Sequence, residues 1–109
     1  MQTLQWQGVF PAITTPFRPD LSIDHELLAS HVGWLIENGV RGIVALSSTG
    51  EGASLSPEEK RQVLATVAAA CAGRAPMIAG AGGLTTAEAV GLARAAADAG
   101  ADGIMVLPP

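Results

Sequence analysis

Apolar residues in this chain fall into two kinds of run that alternate along its length. Four runs are short and continuous: residues 8–14, 42–46, 77–79 and 103–107. Each is too short for a helix and reads as a strand. Pro11 marks the first as an edge or irregular strand. Run 42–46, bounded by glycine and serine, fits a strand buried on both faces, as in a parallel sheet. Between these runs the apolar spacing changes to three and four residues. Leu27, Leu28, His31, Val32, Leu35 and Ile36 mark one face of a helix, with Asp24 as its N-cap and Gly39 as its left-handed terminator. Val63, Leu64, Val67, Ala68 and Cys71 mark the buried face of a second helix. Ser56-Pro57-Glu58-Glu59 opens it with a capping box, and Gly73 ends it. Thr85-Thr86-Ala87-Glu88 predicts a second capping box. The helix it opens carries Val90, Leu92 and many alanines up to Gly100.

The predicted order is β-α-β-α-β-α-β, an α/β fold. Strand starts lie roughly 25 to 35 residues apart, the size of one βα unit. An internal echo supports a repeated unit: Glu37-Asn38-Gly39-Val40-Arg41-Gly42-Ile43-Val44 resembles Asp98-Ala99-Gly100-Ala101-Asp102-Gly103-Ile104-Met105. Right-handed crossovers make the strands parallel, with helices outside. Either an open doubly wound sheet or part of a (β/α)8 barrel fits. A barrel takes about 250 residues, so 109 would form only about half of one. No linker or low-complexity segment divides the chain, so on the barrel reading 1–109 is one portion of a single domain.

Composition narrows the function. The net charge is −4 and the Lys and Arg residues are few, which argues against a nucleic-acid or anionic-membrane surface. Arg74 and Pro76 interrupt the best transmembrane candidate, and residues 1–8 lack a signal-peptide plan. The single cysteine, Cys71, excludes an internal disulfide and suits a reducing cytoplasm; it reads as a small core residue.

In either architecture ligands bind at the carboxyl ends of the strands. Those ends are Thr14-Thr15, Ser47-Ser48-Thr49-Gly50-Glu51, Gly80-Ala81-Gly82 and Leu107-Pro108. Three successive hydroxyls follow the second strand, although the next helix already has its cap at Ser56. Hydroxyls and backbone N–H groups gathered there suit a small anion such as a carboxylate. Glu51 is expected to anchor the loop by accepting backbone hydrogen bonds. Other chemistries fail. Gly80-x-Gly82 has threonine where a dinucleotide fingerprint needs its third glycine, and Asp102 precedes its strand, out of reach of a ribose. Ser48 lacks the flanking glycine of a nucleophile elbow. No Cys/His cluster suggests zinc, so neither metal nor cofactor is expected. His25 and His31 lack ligand spacing. The only lysine, Lys60, stands beside Glu58 and Glu59 and reads as a solvated charge, not as the desolvated amine of a Schiff base.

The residues also resemble a known family. Stretches 8–17, 34–42, 48–51 with 55–59, 78–82, 85–89 and 100–103 together resemble the N-terminal part of the dihydrodipicolinate synthase / N-acetylneuraminate lyase family, the class I pyruvate-type aldolases. The resemblance implies a (β/α)8 barrel, usually a homotetramer, and a lysine that forms a Schiff base with pyruvate or another 2-keto acid. It makes Ser48 and Thr49, with Gly50 shaping the loop, the binders of the keto-acid carboxylate. It also gives Ser48 a part in proton relay with a tyrosine. Three departures stand out. Ser47 replaces a usual glycine. Ser48 replaces the synthases' threonine and looks more like the sialate lyases. Gly82-Gly83-Leu84 replaces a more polar stretch. No tyrosine and no suitable lysine occur, so the 109 residues are expected to be an inactive piece of such an enzyme. The competing expectation is a stand-alone, non-catalytic βα module that binds an anion or serves assembly.

Overall fold

Three parallel strands lie side by side in chain order in the computed structural model, which describes residues 5–107. Pro108, named above as part of a strand end, and residues 1–4 lie outside the described residues. The elements are α1 (His25–Glu37), β1 (Ile43–Ala45), a 3-10 turn (Gly52–Ser54), α2 (Pro57–Cys71), β2 (Met77–Gly80), α3 (Thr86–Asp98) and β3 (Gly103–Met105). Ile43 pairs with Met77, and Ile78 with Gly103. A doubly wound sheet reverses its strand order at a switch point. Here the order runs β1-β2-β3 without reversal. Right-handed crossovers then put every helix on one face, which is how a barrel is wound.

The strand expected at 8–14 is reduced to one parallel bridge, Ala12 to Val44. Ile13 N–H donates to Val44 O at 3.0 Å, and Val44 N–H to Pro11 O at 2.9 Å. Extending that ladder backwards requires an N–H at position 11, and proline has none. Arg41 N–H reaches Val9 O instead, at 2.9 Å. The segment therefore keeps a strand's place beside β1 without a strand's regularity. Gly42 permits this closeness: a Cβ there would stand 2.3 Å from the Phe10 ring.

The helix ends follow local chemistry. Asp24 accepts from Leu27 N–H at 3.0 Å. Ser56 and Glu59 form the full capping box that opens α2. Thr85 accepts from Glu88 N–H, but Glu88 reaches Leu84 N–H and not Thr85, so the second box is only half formed. The internal echo is structural. Gly39 (φ +98°) and Gly100 (φ +94°) both sit in the left-handed region. Val40 N–H bonds Leu35 O and Gly39 N–H bonds Ile36 O; Ala101 N–H and Gly100 N–H bond Ala96 O and Ala97 O in the same way. Each helix thus ends in a Schellman motif that leads into a strand.

The core lies between the sheet and the helices. Leu28, Val32, Ile43, Val63, Val67 and Met77 are its largest fully buried side chains. Cys71 is buried among them, and burial pushes its thiol up. His25 Nδ1 lies 2.7 Å from Thr66 Oγ1 and ties α1 to α2. Two helix faces differ from expectation. Leu27 is exposed because only Leu28 and Val32 of its face point fully inward. On α3 only Ala96 is buried and Val90 is exposed. Alanine offers little apolar area, so α3 packs loosely on its neighbours.

Beyond β3 the sheet has no further strand among the described residues, and Ile104 (42 %) and Leu107 (57 %) stay exposed. An open apolar edge templates pairing with another chain. The 109-residue chain is expected to self-associate at micromolar concentration in analytical ultracentrifugation. A monodisperse, cooperatively unfolding monomer would contradict this.

Candidate functional site

The site begins where β1 stops. Leu46 has φ +61°, a left-handed conformation that costs a non-glycine residue about 1–2 kcal/mol. That reversal ends the strand one residue earlier than the apolar run and swings the chain across the end of β2. Two glycines make room for it. A Cβ on Gly52 or on Gly80 would stand 2.1 Å from the Leu46 carbonyl oxygen. Glu51, at φ +57°, is also left-handed, so the loop is bracketed by two strained residues. Strain of this kind persists where the surroundings over-determine the backbone, and it clusters at functional sites.

The surroundings do over-determine it. Glu51 N–H donates to Ser48 O and Gly52 N–H to Ser47 O, both at 3.1 Å. The buried Thr15 hydroxyl donates to Gly50 O at 2.7 Å, which fastens the loop to the N-terminal segment. Gly50 lies close against that segment: a Cβ there would be 3.0 Å from Ile13 O. Glu51 does not anchor the loop as expected. It is exposed and makes no capping bond to the turn it opens. Thr15 does that work. Sequence reading placed Thr15 at a strand end without this role; the signal lay only in a hydroxyl beside a predicted strand terminus.

The loop presents Ser48 and Thr49, both exposed, at the wall of a cavity of about 1080 Å³. Ala12, Leu46 and Ser47 share that wall. Gly80, Gly82 and Leu107 bring in the other strand ends, and Pro57, Lys60, Leu92 and Glu88 extend it between α2 and α3. Gly50 does not line the cavity; it is buried beneath the loop. Lys60 is half-buried on the first turn of α2 and borders the cavity, so it is less solvated than its neighbours suggested. On the outer turn of α2, the Arg61 guanidinium pairs with Glu58 and holds its carboxyl below the usual range. Asp102 lies at the opposite end of the strands, where its carboxylate accepts from Met77 N–H at 3.0 Å. No group of three His, Cys, Asp or Glu among the described residues is placed to hold a metal ion. None of their helices is long and apolar enough to cross a membrane. Chemically, the arrangement offers two exposed hydroxyls on a rigid turn, suited to hold a small anion.

Thr15→Val keeps the shape and deletes the hydroxyl, leaving Gly50 O unpaired. It is expected to cost about 1–3 kcal/mol in urea unfolding. Gly52→Ala and Gly80→Ala push a methyl onto a backbone carbonyl and are expected to cost about 1–3 kcal/mol or more. Full stability in all three variants would mean that the loop is not held in this way.

Known proteins share both the sequence and this geometry. A 4-hydroxy-tetrahydrodipicolinate synthase of Methanococcus aeolicus is 43% identical over 103 residues, which cover 94% of this chain and 35% of that relative. A crystal structure of dihydrodipicolinate synthase superposes with a TM-score of 0.89 at 44% identity, covering 93% of this chain and 35% of the other. The N-acetylneuraminate lyase of Mycoplasma synoviae superposes with a TM-score of 0.87 at 38% identity, covering 95% and 36%. The chain spans about a third of the length of the curated relatives it matches. The strand order, with helices on one face, is accordingly that of the N-terminal half of a (β/α)8 barrel. The family model described as the dihydrodipicolinate synthetase family matches residues 5–109, almost the whole chain, and the protein belongs to that family.

Proposed function

We propose that this chain supplies the carboxylate-binding wall of a Schiff-base-forming lyase or synthase that acts on pyruvate or another 2-keto acid. The observation that carries the reading is the pair of exposed hydroxyls, Ser48 and Thr49, on a strained turn at the carboxyl end of β1 beside a cavity. In this reading the two hydroxyls and nearby backbone N–H groups hold the keto-acid carboxylate. A fixed carboxylate orients the adjacent carbonyl toward an attacking amine. Ser48 also passes a proton through its hydroxyl, with a tyrosine as the other member of the relay. Gly50 serves from beneath, by letting the loop rest on the N-terminal segment. The working assembly is a homo-oligomer, a tetramer, in the cytoplasm.

Imine formation needs an unprotonated amine in an apolar pocket. Lys60, the one lysine, sits on the helix layer beside Glu58, Glu59 and Arg61. The amine in this reading therefore comes from outside these 109 residues, and the chain alone is inactive. A stand-alone anion-binding module would have closed edges, and the exposed β3 edge counts against it.

Two experiments test the reading. Incubation of the 109-residue chain with pyruvate and borohydride is expected to leave Lys60 unmodified in the mass spectrum; a stable adduct there would overturn the assignment of the amine. Pyruvate is expected to shift the amide resonances of residues 47–50. Ser48→Ala with Thr49→Val should weaken that binding at least about tenfold, since hydrogen bonds to a charged acceptor are lost. Unchanged affinity would remove the two hydroxyls from the site.

A further inference from the structure

Ser47 Oγ is buried and has no hydrogen-bond partner among the described residues. Buried hydroxyls are nearly always paired, because an unpaired one gives up water for nothing. Its setting shows what it could pair with. The backbone of Ser47 is held on both sides. Its carbonyl accepts from Gly52 N–H at 3.1 Å, and a Cβ on Gly80 would stand 3.1 Å from its nitrogen. Only χ1 is left free. The residue borders the same cavity as Ser48 and Thr49. A serine side chain has three staggered wells, and leaving the present one forfeits no hydrogen bond. Glycine, usual here in the family that the sequence resembles, would occupy the position without an unmet donor.

We propose that Ser47 is a third hydroxyl of the anion site, held in reserve. When a 2-keto acid carboxylate arrives, Oγ turns about χ1 into the cavity and donates to it. Ser47 then sets how tightly a short 2-keto acid is held. The proposal rests on the keto-acid reading of the site. It also explains why an unpaired hydroxyl is tolerated: the unliganded protein gives up stability that the bound ligand restores.

The test pairs two readouts on the 109-residue chain. One is pyruvate affinity from the amide shifts of residues 47–50; the other is the thermal midpoint without ligand. Ser47→Ala is expected to raise the midpoint by a few degrees and to weaken pyruvate roughly fivefold or more. Ser47→Thr keeps a hydroxyl and should retain tighter binding than Ser47→Ala. A structural hydroxyl would behave otherwise, its loss lowering the midpoint or leaving affinity unchanged, and either result overturns the proposal. A Ser47→Ala chain that fails to fold overturns it too. If the native chain binds pyruvate and Ser47→Ala binds it equally well, only the role of Ser47 falls. If the native chain binds no pyruvate, the keto-acid reading falls first and takes Ser47 with it.

Discussion

The carbonyl of Leu46 occupies space that two side chains would otherwise fill. Gly52 and Gly80 both yield to it, and a methyl on either would come within 2.1 Å of the oxygen. Through that one group the end of β1, the start of the 3-10 turn and the end of β2 share a position. A left-handed leucine costs free energy, so the turn persists only because its neighbours leave the carbonyl no other place. Everything the loop presents, from Ser47 to Thr49, takes its direction from this packing. The loop holds its direction because its backbone is wedged.

The loop's second support comes from a segment that is not a regular strand. Pro11 breaks the ladder beside β1, yet the residues just after it do two jobs. Ile13 offers a backbone oxygen that would crowd a Cβ at position 50, and Thr15 donates the buried bond to Gly50 O. Proline removes one ladder donor before Ala12, while after it Ile13 N–H still bonds Val44 O and the Thr15 hydroxyl still reaches the loop.

Features written in one or two adjacent residues were legible in the sequence. The cap at Ser56, the terminators Gly39 and Gly100, and the repeated helix-to-strand turn depend on contacts within six residues, and they formed as the pattern indicates. Features set by distant contacts were not. Nothing in the letters around Leu46 signals a left-handed residue; the cause lies six residues on at Gly52 and far along the chain at Gly80. Thr15 meets Gly50 across 35 positions. Glu51 seemed the natural anchor because a carboxylate after Thr-Gly has backbone donors near it. Those donors were already paired with Ser47 and Ser48 carbonyls, which left Glu51 facing solvent. On α3 the spacing was helical but the residues were mostly alanine, and periodicity without bulk cannot drive burial. The hydroxyl cluster itself was visible as an oddity of composition at a strand end. Which hydroxyls face outward and which one is buried depended on the turn.

Geometry also constrains where the missing chemistry must enter. In a 2-keto acid the reacting carbon is bonded directly to the carboxylate carbon. An amine must therefore come within about 3–3.5 Å of an atom next to the group that Ser48 and Thr49 are proposed to hold. Lys60 borders the cavity from the helix layer, on the first turn of α2 beside Glu58, Glu59 and Arg61. In the proposed reading the amine comes instead from a strand end across the barrel axis. The same wound order places every helix on one face of the sheet and leaves β3 as its free edge among the described residues. The proposed carboxylate wall and the open edge at β3 are thus two consequences of one topology. A chain that completes the barrel by pairing with β3 also brings its strand ends, and any amine on them, to the mouth where the two hydroxyls stand.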